Sequence, residues 1–422
     1  MRVFGELCEA NAAASLTQSS AAVYIDAGKN RGCGQKETAM KKAVMYGAGN
    51  IGRGFIGKVF SEGGLDVVFV DVVPEVVNKL NADGQYPVRL VSNEETREVT
   101  VKNASAVSGM DSEAVAKEIL DADVMATAVG VNVLPKIVAN IAAGLDARAA
   151  AGKGPLDIII CENLLDADKY LRSLLEDEVK PATRDYLESS VGLVEASIGR
   201  MVPVMTDEMR GDNILRVWVE PYEELPVDKD AFKNELPPIK TLVPFSPFGF
   251  YIRRKLFLHN MGHAICAYFG WRKGYDYIWQ SADDPEIQPL VKAAMLDVAA
   301  ALHKGYGIPL KEIEDNVYDL LGRFANRVLR DSTARVGMDP VRKLKATDRL
   351  VGAALYCQEN GVGYDNILPA IAAALHFDNP ADAASVIVQQ HIAEKGIESA
   401  VSTFCGAKGE MKRRIIEAYH TL

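Results

Sequence analysis

The sequence predicts an α/β chain in two parts: a doubly wound parallel sheet, then an all-helical C-terminal domain. Three observations lead there. A glycine-rich turn, Gly47-Ala48-Gly49-Asn50-Ile51-Gly52, joins a strand-like run to a helix. Short β-rich runs then alternate with helical segments, which implies parallel pairing with helices on both faces. Beyond about residue 247 nearly every segment has helical character. A sheet of this kind opened by such a turn is of the Rossmann type.

Taken in order, residues 1–39 mix Ala, Ser, Gly and Gln without a sustained period. They are expected to be a disordered extension, or sequence upstream of the true start. Residues 40–240 form the expected Rossmann-type domain. Val44–Tyr46 and Val67–Val70 read as strands with a helix over Ile51–Glu62 between them, and Val124–Val129 and Asp157–Cys161 as further strands. Ile214–Val219 is β-branched but of different character, which suggests an antiparallel strand. The proline-rich stretch from Asn234 to Pro247 reads as a connector. Residues 241–422 form the expected helical domain, with helices over 248–270, 284–305, 310–329, 343–359, 365–376, 381–394 and 407–420.

Composition narrows the function classes. The chain has 422 residues and a net charge of −10, which argues against a chain-wide nucleic-acid or anionic-membrane surface. None of the six cysteines forms a CxxC or a Cys/His zinc spacing, so no metal is expected. A reduced, cytoplasmic setting follows. No apolar run reaches the roughly 18–20 residues of a membrane helix.

The glycine turn is a dinucleotide site by context. Gly47 permits the tight turn, Gly49 lets backbone amides approach a pyrophosphate, and Gly52 lets the helix pack on the sheet. Ala48, Asn50 and Ile51 complete the loop, and the helix N-terminus attracts negative charge. Asp71 lies 19 residues beyond Gly52, at the end of the next strand. Its carboxylate suits ribose hydroxyls and repels a 2′-phosphate, so NAD is expected rather than NADP. Thr127-Ala128-Val129-Gly130 follows a later strand, which places Ala128 and Val129 against the same cofactor. The alternative is a glycine turn that only helps packing.

The second signal is Lys255-Leu256-Phe257-Leu258-His259-Asn260-Met261-Gly262-His263. At about 100° per residue, Lys255, His263 and Asn260 fall at about 0°, 80° and 140° and share one side of a mostly apolar helix. Burying such groups is costly unless they bond to each other or to a ligand. A buried lysine with a depressed pKa is a general base for removing an alcohol proton. Asn260 would then donate to the oxygen, and His263 would orient substrate or lysine. His259, about 40° from Lys255, is expected to be structural or peripheral.

These segments resemble the polyol-specific long-chain dehydrogenases of the mannitol dehydrogenase family. The resemblance rests on the run Gly47 to Gly57, Thr127-Ala128-Val129-Gly130, Cys161-Glu162-Asn163, Arg254-Lys255-Leu256-Phe257 with Asn260 and Gly262-His263-Ala264, and Leu321-Gly322-Arg323-Phe324. It runs from about Met40 to the C-terminus. It implies a metal-independent enzyme interconverting mannitol 1-phosphate and fructose 6-phosphate with NAD, Lys255 being the general base. It makes Asn260 an oxygen-polarising residue, His263 a substrate-positioning one and Asn163 a second amide on the reacting oxygen. Glu162 would connect the lysine to solvent, and Arg335 and Lys343 would meet the far end of the polyol. The window Arg323–Arg349 holds eight basic and three acidic residues, which suits a phosphate. One departure stands out: the family often has Asp where this chain has Gly199, so a hydroxyl contact is expected to be missing.

Three readings therefore compete. The first is the polyol-phosphate dehydrogenase. The second keeps its chemistry but acts on free mannitol and fructose, or on a hexuronate. The third is a non-enzymatic NAD(H)-sensing protein, which would need no buried base. The expected partner is a small polyol or polyol phosphate, with neither nucleic acid nor membrane, and the chain could be monomer or dimer.

Overall fold

The structure, a computed structural model, describes residues 42–422. The extension expected at 1–39 lies outside the described residues. β1 (Lys42–Tyr46) starts a six-stranded parallel sheet with β2 (Asp66–Asp71), β5 (Ala104–Ser108), β6 (Val124–Thr127), β7 (Leu156–Ile160) and β8 (Val191–Glu195). Its order is β5-β2-β1-β6-β7-β8. β1 pairs with both β2 and β6, so the chain turns opposite ways from the middle of the sheet. The crevice at that reversal, outside the carboxyl ends of the strands, is where such sheets place ligands.

The period of two splits each strand between two cores. Ala43, Met45, Val67 and Phe69 face one apolar cluster, and Val44, Tyr46 and Val70 face the other. Both faces are covered, which explains why these strands read as continuous apolar runs.

The sheet has an attachment that the sequence did not suggest. β3 (Gln85–Val91) and β4 (Thr96–Lys102) form an antiparallel hairpin, and β9 (Val217–Val219) joins β3 in parallel. The β-branched run at 214–219 is thus a short parallel strand, not an antiparallel one, because it pairs with β3 rather than with a sequence neighbour. The expected connector also holds structure: β11 (Leu242–Phe245) pairs in parallel with β10 (Leu225–Asp228).

Helices make up the remainder and share one large core. At its centre is Asn260–Arg272, buried nearly all round, as an apolar helix without a polar face must be. Ile287–Tyr306, Leu310–Phe324 and Val351–Glu359 contribute further faces. Among the described residues no helix is long and apolar enough to cross a membrane.

A buried ion pair ties the helical part to the sheet part. Arg323, on Leu310–Phe324, donates through Nε to Glu220 Oε2 at 2.9 Å and through Nη2 to Oε1 at 2.5 Å. Glu220 is 1% exposed. Two more contacts lie alongside: Asn326 Nδ2 donates to Val91 O at 3.0 Å, and Asn93 Nδ2 to Ala325 O at 2.9 Å.

Candidate active site

The glycine loop follows β1 and has the geometry of a dinucleotide cradle. Gly47 has φ +103°, and a Cβ there would sit 2.6 Å from Ala128 O. A Cβ on Gly52 would lie 1.9 Å from Gly47 O, so any side chain would force the helix off the loop. Gly49 instead faces open space, which leaves its backbone approachable. Asn50 and Ile51 begin the helix, which passes into a π-helical stretch at Gly52–Gly57. Asp71 closes β2, its Oδ2 accepting from Ala48 N at 2.7 Å and its Oδ1 from Val73 N at 3.0 Å. Each oxygen keeps a lone pair for a ribose hydroxyl. Ala128 and Val129 lie just past β6, beside Gly47.

Glu162, just past β7, is buried and lines the main cleft. Its two oxygens accept from Val129 N at 3.0 Å and Gly130 N at 2.8 Å. The carboxylate therefore fixes the loop after β6 while lining the same cleft as Lys255.

The lysine helix is not a plain α-helix. Gly249–Arg253 runs into a π-helical turn at Arg254–His259 before Asn260–Arg272. Asn260 N–H donates to Lys255 O, an i→i+5 bond. Asn260 thus takes the place that the fourth residue would hold in an α-helix, directly above Lys255. Both side chains line a cleft of about 300 Å³ together with Glu162 and Asn163. Lys255 Nζ is 3.5 Å from Asn163 Oδ1. Burial, and secondarily the Arg349 charge, pull the Lys255 amine down to about 8.

Residues 41–241 match the mannitol dehydrogenase Rossmann domain, and residues 249–405 the mannitol dehydrogenase C-terminal domain. The chain belongs to the mannitol dehydrogenase family. A mannitol-1-phosphate 5-dehydrogenase of Brevibacillus brevis is 37% identical over 364 residues, covering 86% of this chain and 93% of that one. Two solved structures share the fold. A Pseudomonas fluorescens mannitol 2-dehydrogenase complex with NAD and D-mannitol has a TM-score of 0.72 at 17% identity, with 91% of each chain covered. A substrate-free D-sorbitol dehydrogenase reaches 0.78 at 16% identity, covering 90% of this chain and 93% of that one. As a member of this family, the chain is an oxidoreductase.

Not every residue expected at this mannitol dehydrogenase-family site reaches the cleft. His263 lines neither of the two cavities beside Lys255. Its ring stacks on Phe324, 5.2 Å between centroids at 8°. Its Nε2 lies 2.9 Å from Asp331 Oδ2. Burial raises the Asp331 carboxyl, but His263 and Arg335 outweigh it and hold it below its ordinary value. Arg335 is absent from the cleft because Asp331, four residues earlier, takes its Nε at 2.9 Å. Lys343 is 5% exposed and off the cleft wall. Burial, then the Arg349 and Arg342 charges, bring it to about 7.

The π turn redistributes the histidines. His259, expected to be peripheral, lines a smaller cavity with Lys255, Ser197, Gly199 and Tyr222. Burial and then Arg323 push its imidazole well below its ordinary value, so it is neutral. A Cβ on Gly199 would already meet the Tyr222 ring at 3.1 Å. Tyr222 thus occupies the room that an aspartate there would need. Arg342, Lys345 and Arg349 do line the main cleft. The basic window signalled them only as a group.

Proposed function

We propose that this oxidoreductase interconverts mannitol 1-phosphate and fructose 6-phosphate with NAD, using Lys255 as general base and no metal. One observation carries the reading: a lysine amine drawn down to about 8, in a cleft shared with two side-chain amides. A phosphorylated substrate is favoured by the B. brevis relative's name and by the cleft's charge. Four of its six ionisable lining residues are basic, in a chain of net −10.

The open Gly49 backbone, the helix start at Asn50 and the Asp71 carboxylate would hold the dinucleotide. When bound, NAD would supply the hydride acceptor for oxidation of the carbinol carbon, and NADH the hydride donor for reduction of the ketose. In oxidation the neutral Lys255 amine removes the hydroxyl proton as the C–H bond breaks and the C=O bond forms. The Asn260 side-chain amide makes no hydrogen bond within the described protein, so it is free to donate to that oxygen. Asn163 holds the amine through Oδ1 and keeps its own N–H₂ for the same oxygen. His263, fixed by Phe324 and Asp331, has an orienting part. In reduction the Lys255 ammonium supplies the proton. Cys161, Cys266, Cys357 and Cys405 are all free thiols, which suits a cytoplasmic setting.

The test is NADH oxidation by fructose 6-phosphate, fructose and hexuronate keto acids, repeated with Lys255→Ala. Turnover of fructose 6-phosphate should dominate, and the variant should lose roughly 10²–10⁴ in kcat while keeping NADH affinity. Equal or better turnover of fructose would remove the phosphate from the reading. Tight NADH binding without oxidation by any of the sugars would favour a sensor.

A further inference from the structure

One wall of the cleft comes from outside the lysine helix. Arg342, Lys345, Asp348 and Arg349 belong to the helix Pro340–Lys343 and the turn that follows it. We infer that Arg349, assisted by Lys345 and Arg342, grips the substrate's phosphate group. This deepens the proposed function and rests on it. It moves the anion contact away from Arg335 and Lys343, which lie off the cleft wall.

The argument is an inventory of donors. Asp348 Oδ1 accepts from Arg349 Nε at 2.8 Å, and its Oδ2 accepts from Arg342 Nη1 at 3.1 Å. One carboxylate is thus shared by two guanidiniums. Arg342 has a second partner, Asp339 Oδ2, 2.8 Å from its Nε. Arg349 has no second carboxylate, and neither of its terminal nitrogens makes a hydrogen bond within the described protein. Its side chain is 12% exposed and lines the cleft. Lys345, exposed on the same wall, pairs with no described carboxylate.

A guanidinium fixed at Nε, with both terminal amines unspent, presents the planar fork that phosphate oxygens accept in pairs. Partly burying such donors is costly unless a ligand uses them. Arg349 also lies near enough to Lys255 for its charge to be felt at the amine. Both residues line the same cleft of about 300 Å³, so anion grip and base belong to one site.

The experiment compares wild type with Arg349→Ala, Arg349→Lys and Lys345→Ala. Lys345 is exposed, so its variant keeps the fold, and Arg349→Lys keeps the charge without the fork. Arg349→Ala should raise KM for fructose 6-phosphate by roughly 10- to 100-fold, with a smaller rise in the other two. The preference for fructose 6-phosphate over fructose, as a ratio of kcat/KM, should fall by a similar factor. Inorganic phosphate should compete with fructose 6-phosphate in the wild type and lose potency in Arg349→Ala.

An unchanged KM, or an equal loss with both sugars, overturns the inference. So does a matching loss of NADH affinity, which would assign the wall to the cofactor's pyrophosphate. If the wild type does not reduce fructose 6-phosphate, the substrate reading falls first. Inhibition of the active sugar's turnover by inorganic phosphate then decides the grip: its loss in Arg349→Ala upholds an anion site, and its persistence removes it.

Discussion

The depressed Lys255 amine makes pH the sharpest perturbation. With a pKa of about 8, half of the lysines carry a neutral amine at pH 8 and ~1% do at pH 6. An unperturbed lysine would be neutral in only ~0.3% of molecules at pH 8, so the cleft supplies over 100-fold more base. The sign follows from the roles. Oxidation needs the neutral amine, so kcat/KM for the polyol phosphate should rise about tenfold per pH unit from pH 6 and level off above ~9. Reduction needs the ammonium, so kcat/KM for the ketose should be flat at low pH and fall above about 8. Because the Arg349 charge is the second cause of the shift, Arg349→Ala should move both inflections to higher pH. The assay is NADH absorbance in each direction, with kcat/KM taken across the range. A flat profile, or an inflection at the ordinary lysine value, would refute the lysine as base.

Other expectations can be checked alongside. Gly52→Ala should abolish NADH binding, read by fluorescence titration, because the added methyl would sit 1.9 Å from Gly47 O. Asp71→Ser should raise KM for NAD and narrow its lead over NADP, measured as the ratio of the two kcat/KM values. Glu162→Gln should weaken cofactor binding more than it changes turnover, since one of the two loop amides it accepts from would face an NH₂. Glu220→Ala would leave Arg323 buried without its carboxylate, and urea denaturation should show a loss of about 3–5 kcal/mol.

How much of this was legible depended on the range of the signal. The glycine loop, the strands around it and Asp71 are local patterns, and each sits where its spacing indicated. The long C-terminal helices were equally plain from their period. The π turn at Arg254–His259 was not, because a wheel drawn at 100° per residue assumes the bond register that this segment abandons. That assumption set Asn260 too far from Lys255, whereas His259 already lay only about 40° from the lysine and was read as peripheral in spite of it. The hairpin of β3 and β4 was missed because its edge residues are polar and exposed. The basic window announced positive charge near the site. Which of these charges are already paired was not readable from the window: the folded side chains show Asp331 taking Arg335 while Arg349 keeps two unspent amines.

The Glu220–Arg323 pair has a consequence for how the gene can be cut. A break between residues 241 and 249 looks like a natural seam, since matches to two separate family domains end and begin there. Yet the carboxylate lies before the seam and the guanidinium after it. Fragments expressed apart would each bare an ionised side chain shaped for the absent half, along with the Asn93 and Asn326 contacts. The two pieces are therefore not interchangeable modules. A chimera swapping either one would have to carry both ends of this bond from the same parent.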